Sequence, residues 1–535
     1  MKNDIDKPLK FGIKKTVIYM SIMMIIPIFL FVLIDKGLYI LFPYNGEMGY
    51  IKKAPGKPDI YYIDRGKNKI FADLQVNKPK GTIRIFTFGG STTWGLPYGA
   101  EGSFSGWLAE IIHSCKPDNN VEVINTGYPS APIATVRDYA EASISFHPDI
   151  FIIYSGNNEF LLENQVLQEA AVNKQFIYWL RRKLKYNSFV FNHLDKLYSN
   201  YFKKKQIYKS ADSDFTDFWE TASDRFYFEL NEIRKIAKKN NIKVILCTIP
   251  CNLRDYSPIC SLWKQGLSAS DVNKAEIALK DMRSAISKNQ LTNAEKAYAR
   301  LCSISPGYAQ ATFEIANFHL KKGNIITAQH AFIRAKEEDK TLVRVKERFN
   351  AIIRKVYNTI NYNSFILLDV QKIYNKNSPF SIPGNNLFLD GMHPNLKGHF
   401  LIASELAKIL IENKFIKVTI KNNQKYLFDD YKKKNKRLNN DAILETIGYF
   451  INIGRYNRAE ELIMNYLEKF DHWLAHFDLA MIYLKKNKLS NAFNELRNTY
   501  ALLGNNYNQI LEITKETYPE FYLQVIKFEK QITNE

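Results

Sequence analysis

Cysteine and tryptophan are scarce in this chain, with 5 and 6 residues among 535. No Cys-x-x-Cys pair is present, and no cysteine has a histidine at the spacing of a zinc site. The sequence therefore predicts neither a redox dithiol nor a metal centre. Two interpretations of the cysteines remain open: one disulfide among Cys247, Cys251 and Cys260, or buried apolar thiols.

Acidic residues are few relative to basic ones, 54 against 74, which gives a formal net charge of +20. The chain nevertheless lacks zinc-finger spacing, an RNA-binding signature and basic helices with interleaved aromatic residues, so we predict no nucleic-acid partner. The lysine runs are typical of solvated helix faces, with attraction to anionic lipid or a cell-surface polymer as the alternative. No cofactor-binding motif is present, and no cofactor is expected.

Hydrophobic residues make up 46% of the chain and aromatic residues 14%, which is enough for packed cores and excludes extensive disorder. A chain of 535 residues is too long for a single core. Two or three domains are therefore expected.

One long uncharged apolar run lies near the N-terminus. Residues 16–34 are 19 uncharged residues, a length that crosses a bilayer as a helix. Five lysines and two aspartates precede it, so the positive-inside rule places residues 1–15 in the cytoplasm and the chain after Asp35 outside. A cleaved signal peptide is the main alternative, but no small-residue cleavage site follows. We predict a single-pass protein of the cytoplasmic membrane with an extracytoplasmic body, either periplasmic or at the cell surface.

Several apolar, β-prone runs end in short polar motifs. Residues 83–88 end at Gly89 and Gly90, and Ser91 follows at once. Such runs alternate with helical patterns, which predicts a parallel sheet, and open sheets of this kind bind ligands at the carboxyl ends of their strands. The other runs and motifs are 121–124 before Asn125-Thr126-Gly127, 150–154 before Ser155-Gly156-Asn157-Asn158-Glu159, 242–249 before Pro250-Cys251-Asn252-Leu253-Arg254-Asp255, and 365–368.

A second motif lies about 300 residues after Ser91, in a polar turn before the apolar helix predicted at 400–411. Asp390 precedes His393 by three residues, so its carboxylate can hold one ring nitrogen while the other faces a serine. A serine hydroxyl needs such a base before it can act as a nucleophile. The pattern predicts a Ser91, His393 and Asp390 triad.

These motifs resemble, in order, the four blocks of the SGNH (GDSL-type) hydrolase superfamily. Gly89-Gly90-Ser91 stands where Gly-Asp-Ser is usual, and Gly156-Asn157-Asn158-Glu159 stands where Gly-x-Asn-Asp is usual. The chain looks most like bacterial membrane-anchored members that carry tetratricopeptide repeats. The resemblance covers roughly residues 82–412 and implies a flavodoxin-like, three-layer α/β/α fold and ester hydrolysis.

The resemblance also implies an oxyanion hole made by the Ser91 N–H, the Gly127 N–H and the Asn158 side-chain amide. Asn157 is a stand-in for Asn158 and a candidate substrate-binding residue. Arg254, at a strand's carboxyl end, either contacts substrate or forms an exposed pair with Asp255.

Two regions repeat at the tetratricopeptide period. Ala294 and Tyr298 recur in type as Ala328 and Phe332, an offset of 34, and a segment near 455–463 recurs near 488–496. Generic amphipathic hairpins are the alternative interpretation. The repeats suggest a protein partner, and because every motif ends by His393, the C-terminal helices are expected to be dispensable for turnover.

The predicted organisation is as follows: cytoplasmic tail 1–15, anchor 16–34, linker 43–80, hydrolase domain 82–265 and 359–412, inserted tetratricopeptide (TPR)-like helices 266–358, and C-terminal TPR-like helices 425–535.

The predicted function is hydrolysis of carbohydrate or lipid O-acyl esters. The chain lacks the Gly-x-Ser-x-Gly elbow of α/β-hydrolases at Ser91. The alternatives are an O-acetyltransferase acting on cell-surface glycans and a catalytically inert scaffold.

The anchor makes a testable prediction. Protease added to intact spheroplasts should digest the bulk of the chain, because the residues beyond Asp35 are expected outside the membrane. Immunoblotting with an antibody to the C-terminal region measures the loss. Full protection, or a mature N-terminus beyond residue 35, would contradict the anchor.

Overall fold

The computed structural model of the protein describes residues 23, 26–27, 29–38, 51–53, 60–63, 70–159, 184, 188–191, 193–194, 215–341, 343–359, 365–418, 429, 436–504 and 508–534. The chain divides into two compact units. One unit comprises Met1–Leu74 and Glu159–Glu229, and the other comprises Gln75–Asn158 and Leu230–Glu535.

The first unit holds three short strands, β1 (Ile51–Lys53), β2 (Ile60–Ile63) and β3 (Ile70–Gln75, whose last residue falls in the second unit), in the order β1-β2-β3. β1 and β2 are antiparallel. They lie in the segment 43–80, which was predicted to be a linker. That prediction missed the strands because runs of three to six residues are too short to show a period, although Ile60-Tyr61-Tyr62-Ile63 is rich in strand-forming residues.

The predicted anchor falls mostly outside the described residues. Of residues 16–34, only 23, 26–27 and 29–34 are described, and these are helical. No helix within the described part of the chain is both long and apolar enough to cross a membrane. The predicted anchor and the cytoplasmic tail at 1–15 therefore stay predictions.

The second unit is built on a five-stranded sheet in which every pair of neighbouring strands is parallel. The strands lie side by side in the order β5-β4-β6-β7-β8. If the five are numbered 1 to 5 along the chain, this spatial order is 2-1-3-4-5, one of the two common orders of doubly wound sheets. All five residues of the central β6 are buried, as a strand covered on both faces requires. The strands are β4 (Thr82–Gly89), β5 (Asn120–Asn125), β6 (Ile150–Tyr154), β7 (Lys243–Cys247) and β8 (Phe365–Leu368). The prediction of a parallel α/β sheet is confirmed.

Helices connect and cover these strands. Helix α3 (Phe104–Ser114) packs on β5 and against α12 (Leu396–Glu412), and α4 (Ile133–Ala142) packs on β4. Ser103 caps α3 by accepting from the Gly106 N–H, and Asn395 caps α12 by accepting from the Gly398 N–H. The helices outside the insertion are α1 (Ser91–Trp94), α2 (Gly99–Gly102), α3 (Phe104–Ser114), α4 (Ile133–Ala142) and α5 (Phe215–Lys239, of which Phe215–Glu229 falls in the first unit), followed beyond the insertion by α11 (Val370–Lys376) and α12 (Leu396–Glu412).

The inserted region forms two helical hairpins. The second helix of each hairpin begins at Leu291 and at Ile325, 34 residues apart. Ala294 and Ala328 are fully buried at equivalent positions, so small side chains lie where the helices meet. The hairpin helices are α6 (Ala269–Ser287), α7 (Leu291–Ile304), α8 (Ala309–Lys321) and α9 (Ile325–Glu338), and α10 (Glu347–Asn358) follows them.

Helix α10 was predicted to belong to the insertion, 266–358, but it packs on β7 and β8. The buried Asn350 side chain accepts from the Ile249 N–H at 2.7 Å and donates to the Ile249 carbonyl at 2.9 Å. These bonds take the chain out of the sheet, so β7 ends at Cys247 rather than at 249 as predicted. The boundary of the insertion therefore lies before α10.

The C-terminal helices enclose a core of their own. Two of them begin at Tyr456 and Leu489, 33 residues apart. Tyr256, from the segment after β7, belongs to the same core. The helices are α13 (Lys436–Asn452), α14 (Tyr456–Leu467), α15 (Trp473–Lys485), α16 (Leu489–Leu503), α17 (Asn508–Thr517) and α18 (Tyr522–Asn534).

The role of Asn350 is testable. Asn350→Ala should lower the free energy of unfolding by about 3 kcal/mol, because it leaves two buried backbone groups of Ile249 without partners. Denaturant unfolding of the detergent-solubilised chain measures the change. Asn317→Ala is the control, since that exposed side chain bonds only to a carbonyl of its own helix and its loss should cost less than about 0.5 kcal/mol. Equal effects of the two variants would show that α10 is not fixed to the sheet by Asn350.

Candidate active site

Ser91 is the first residue of α1, directly after the end of β4 and one glycine. The two preceding glycines are required by space. A Cβ on Gly89 would lie 2.1 Å from the Tyr154 carbonyl oxygen, and one on Gly90 would lie 2.2 Å from Asn158 Nδ2. The turn is therefore closed tightly around the serine, with the Asn158 amide against it.

His393 and Asp390 lie beside Ser91, although about 300 residues separate them in the chain. The Ser91 Oγ is 2.7 Å from His393 Nε2, and His393 Nδ1 is 2.7 Å from Asp390 Oδ2. The other carboxylate oxygen of Asp390 accepts from the Met392 N–H at 2.8 Å and the His393 N–H at 2.7 Å. The structure brings the three predicted residues together in the order of a nucleophile, a base and an orienting acid.

Asp390 and His393 stabilise each other's charged forms. Burial alone would raise the pKa of Asp390, but the charge of His393 and the hydrogen bonds to its ring and to two backbone N–H groups hold it below its usual value. Burial would lower the pKa of His393, but the charge and hydrogen bond of Asp390 raise it above its usual value. The arrangement therefore favours a histidine that takes up a proton readily.

Two of the three predicted oxyanion donors already donate hydrogen bonds within the protein. The Gly127 N–H donates to Asn125 Oδ1 at 2.9 Å, so this predicted donor already has a partner inside its own turn. Asn158 Nδ2 donates to the Ala131 carbonyl at 3.2 Å, which leaves the second hydrogen of its amide. The Ser91 N–H lies in the first turn of a helix, where backbone donors have no partner within the helix.

A small cavity of about 10 Å³ lies beside Ser91, room for roughly one water molecule. Four polar atoms of its lining residues are buried and have no hydrogen-bond partner among the described residues: Thr92 Oγ1, Tyr154 Oη, Ser155 Oγ and Asn157 Oδ1. Asn157 is thus placed at the cavity, as a candidate substrate-binding residue. The lining residues are Gly90, Ser91, Thr92, Tyr154, Ser155, Gly156, Asn157 and Asn158.

Arg254 does not line this cavity. Its guanidinium forms two hydrogen bonds of 2.9 Å to Asp255, and Asp255 in turn accepts from the Asn385 N–H at 2.8 Å. The pair with Asp255 that the second interpretation expected is present, but it is partly buried rather than exposed, and contact of Arg254 with substrate stays a prediction. Asn385 precedes Asp390 by five residues, so the pair ties the segment after β7 to the chain leading into the Asp390 turn.

Three residues near the site were not singled out from the sequence. Asn125 holds the turn of Gly127 through its Oδ1 and donates through Nδ2 to the Thr93 carbonyl at 2.6 Å. Asn252 bonds to the backbone of Asp390 and Gly391, and Tyr256 packs on Gly391. Asn125 could have been found from the sequence, because an asparagine at the end of a strand commonly bonds the N–H two residues on. Asn252 and Tyr256 gave no such signal, since their contacts with the Asp390 turn are made to residues distant in the chain.

All five cysteines are free thiols, and Cys115, Cys247 and Cys251 are buried. Burial raises the pKa of the Cys247 thiol. Of the two interpretations left open above, the structure has the unpaired thiols. Among the described residues, no group of three or more His, Cys, Asp or Glu side chains could hold a metal ion.

A scan of the sequence against models of known protein families finds no match, and no curated protein matches the chain. Among solved structures, the chain is similar to a G-D-S-L family protein from Desulfitobacterium hafniense, described as lipolytic, with a TM-score of 0.28 and 11% identity, covering 61% of this chain and 99% of that one. It is also similar to a GDSL-like lipase from Bacteroides thetaiotaomicron, with a TM-score of 0.27 and 11% identity, covering 62% and 88%. A third similar structure is a protein from Bacteroides fragilis described as an acylhydrolase. Its TM-score is 0.27 and its identity 12%, and the match covers 70% of this chain and 96% of that one. Scores this low do not by themselves assign a family or an activity.

The charge pairing at the site predicts a pH dependence. A fluorophosphonate should label Ser91 only when His393 is neutral, so the labelling rate should rise with pH through the pKa of His393, at a midpoint above 6.5, its unperturbed value. Asp390→Asn removes the charge that raises this pKa and should move the midpoint to lower pH. Labelling should also slow by roughly ten-thousandfold, because the ring is no longer held in the required tautomer.

The control for this measurement is Asp281→Asn, which changes an exposed aspartate paired with Arg300 in the inserted helices. It should leave both the midpoint and the rate as in the wild type. A midpoint that does not move in Asp390→Asn would contradict the assigned pairing of Asp390 and His393.

Proposed function

We propose that this protein is a serine esterase of the SGNH/GDSL type that hydrolyses O-acyl esters. The observation that carries the proposal is the continuous contact from Ser91 through His393 to Asp390, with 2.7 Å at each step. The parallel sheet in the order 2-1-3-4-5 supports the flavodoxin-like, three-layer α/β/α hydrolase domain that the sequence motifs imply.

In the proposed reaction His393 Nε2 takes the Ser91 hydroxyl proton as Ser91 Oγ attacks the ester carbonyl. The bond from the carbonyl carbon to the leaving alcohol then breaks, and the alcohol takes the proton from His393. Water attacks the acyl-enzyme with the same base, which releases the carboxylic acid and frees Ser91. Asp390 stays ionised and stabilises the imidazolium in both steps.

The oxyanion formed in each step is stabilised in the proposal by the Ser91 N–H and by the second hydrogen of the Asn158 amide. Gly127 acts as a third donor only when its N–H leaves or shares Asn125 Oδ1, to which it is bonded at 2.9 Å. Loss of one such donor typically costs roughly 3–4 kcal/mol of transition-state stabilisation. Asn158 is therefore expected to carry more of this role than Gly127.

The cavity beside Ser91 supports a short acyl group or a hydroxyl-bearing substrate over a long hydrocarbon chain. Its lining carries the side-chain oxygens of Thr92, Ser155 and Asn157, which a hydroxyl-bearing group can engage. A hydrocarbon chain would leave the hydroxyls of Thr92 and Ser155 buried without partners, at a cost of about 1–3 kcal/mol each. Among carbohydrate and lipid esters, we therefore favour short-chain and carbohydrate O-acyl esters.

We place the protein in the cytoplasmic membrane with its hydrolase domain outside. The apolar run at 16–34 and the lysines before it support this location. Large apolar side chains at 29–34 are about half exposed or more, as in a helix whose surroundings are apolar.

The inserted and C-terminal hairpins, with helix starts 34 and 33 residues apart, support tetratricopeptide (TPR)-like repeats and a protein partner.

An O-acetyltransferase acting on cell-surface glycans is the runner-up, because it would use the same three side chains and differ only in its acceptor. A catalytically inert repeat scaffold is the third candidate. The contact of Ser91 with His393 argues against the scaffold, since nothing in a scaffold requires a serine hydroxyl 2.7 Å from an imidazole that an aspartate orients.

The proposal is tested by turnover of p-nitrophenyl acetate by the detergent-solubilised chain. Ser91→Ala and His393→Ala should both fall to near background, because members of one catalytic unit fail together. Asn158→Ala should lose only about 10²–10³-fold in kcat, since one of the oxyanion donors is removed. Circular dichroism checks that each variant is folded.

The matched control is Ser145→Ala, which removes an exposed serine hydroxyl that bonds only to the Ala142 carbonyl. It should turn over like the wild type. Activity that survives in Ser91→Ala would rule the esterase out. Product that appears only after an acceptor sugar is added would favour the transferase.

A further inference from the structure

The segment that follows β7 joins the Asp390–His393 turn to the C-terminal helices. Two buried residues of the segment make these contacts: Asn252, which is 0% exposed, and Tyr256, which is 2% exposed. Asn252 contacts the turn through hydrogen bonds, and Tyr256 contacts both the turn and the helices through its ring. The segment therefore connects a short polar turn with a separate apolar core.

Asn252 holds the backbone of the turn. Its N–H donates to the Gly391 carbonyl at 3.0 Å, and its Nδ2 donates to the Asp390 carbonyl at 3.1 Å. Its Oδ1 accepts from the Asp255 N–H at 3.0 Å. Every one of these contacts is made to a residue of the turn or of the segment itself, so the two pieces of chain are fixed to each other.

Tyr256 lies on the other side of the same turn. A Cβ on Gly391 would lie 2.9 Å from Cε1 of the Tyr256 ring, so the ring rests directly against Gly391. The guanidinium of Arg455 lies 3.9 Å from the centre of the ring, and Phe450 lies 6.4 Å away, centre to centre. Arg455, which precedes α14, also donates to the Ser257 carbonyl. The ring is thus clamped between the turn and the C-terminal helices.

A buried ion pair fixes this segment from the side of the insertion. Arg344 donates to the Tyr256 carbonyl at 2.8 Å and to the Asn252 carbonyl at 3.3 Å. The same guanidinium pairs with Asp339 at 3.2 Å, and both side chains are almost fully buried. The Arg344 guanidinium also lies 5.4 Å from the centre of the Tyr256 ring, so Arg344 and Arg455 both contact the ring and the backbone of this segment.

We propose that Tyr256 is a positioning residue through which the C-terminal helices hold the Asp390–His393 turn within reach of Ser91. The proposal rests on the proposed esterase function. It replaces the expectation from sequence that the helices beyond residue 425 are dispensable for turnover. The described residues of those helices supply the core in which the ring is anchored.

The consequence is a pH signature. If the ring no longer supports Gly391, the Asp390 carboxylate moves more freely, and its contact with His393 weakens. Since that contact raises the pKa of His393, the pKa should fall and the acid limb of kcat/KM should move to lower pH. The charged groups nearest the segment and the turn are Arg455, over the Tyr256 ring, and the Arg254–Asp255 pair. Three groups that interact with Asp390 or His393 stay neutral at working pH: His399, Tyr256 and Tyr449. Burial lowers the pKa of His399 to about 3 and raises the pKa values of Tyr256 and Tyr449.

The experiment uses the full chain in detergent and measures kcat and KM for p-nitrophenyl acetate against pH. Tyr256→Ala should lower kcat about tenfold or more, with less change in KM, and shift the acid limb to lower pH, because a small displacement of a catalytic group has a large effect on rate. Arg455→Ala should also lower kcat and move the acid limb to lower pH, by smaller amounts. Tyr256→Phe keeps the ring on Gly391 and should restore the wild-type limb.

The matched control is Lys485→Ala, which removes another cation placed over an aromatic ring, 4.9 Å from the centre of Phe521 within the C-terminal helices. It should leave kcat and the acid limb unchanged. Folded Tyr256→Ala with a wild-type limb and kcat would overturn the proposal, and if that variant does not fold, an unchanged limb in Arg455→Ala would do so. Turnover that survives in Ser91→Ala would instead overturn the esterase itself.

Discussion

The carboxylate of Asp390 receives three hydrogen bonds from within four residues of chain. Two come from the backbone N–H groups of Met392 and His393, and the third comes from the His393 ring. A buried carboxylate without such partners would take up a proton, so these bonds keep it charged and fix the direction in which it acts. The orientation of the imidazole, its raised pKa and its contact with Ser91 all follow from this one turn.

The turn reaches Ser91 only because the sheet is parallel. In a parallel sheet the carboxyl ends of the strands lie at one edge, so the segments after β4, β6 and β7 meet there. Ser91 follows β4, Asn158 follows β6 and Asn252 follows β7. The strand β8 precedes the turn itself, which Asn252 then holds by its backbone. The site is therefore assembled from contacts between residues that are far apart in the chain.

Close packing explains Gly89, Gly90 and Gly127, whereas Gly156 at the cavity has a φ of 148°, which favours glycine. The φ of Gly90 is −86°, which any residue adopts, yet a Cβ there would meet the Asn158 amide at 2.2 Å. A Cβ on Gly127 would lie 2.1 Å from the Trp94 nitrogen. The family that the motifs resemble usually has aspartate at the position of Gly90. In this chain the glycine and the position of Asn158 constrain each other.

The sequence by itself determined whatever depends on neighbours in the chain. The apolar runs predicted the five strands and the parallel sheet, since burial on both faces leaves a continuous apolar pattern. The three-residue spacing of Asp390 and His393 predicted their contact, because both lie in one turn. The short strands of the first unit were missed, since three to six residues show no period. Only the tertiary structure decided that α10 belongs with the sheet through Asn350 and that Tyr256 lies in the C-terminal core. Each depends on a geometry in three dimensions that no local pattern encodes.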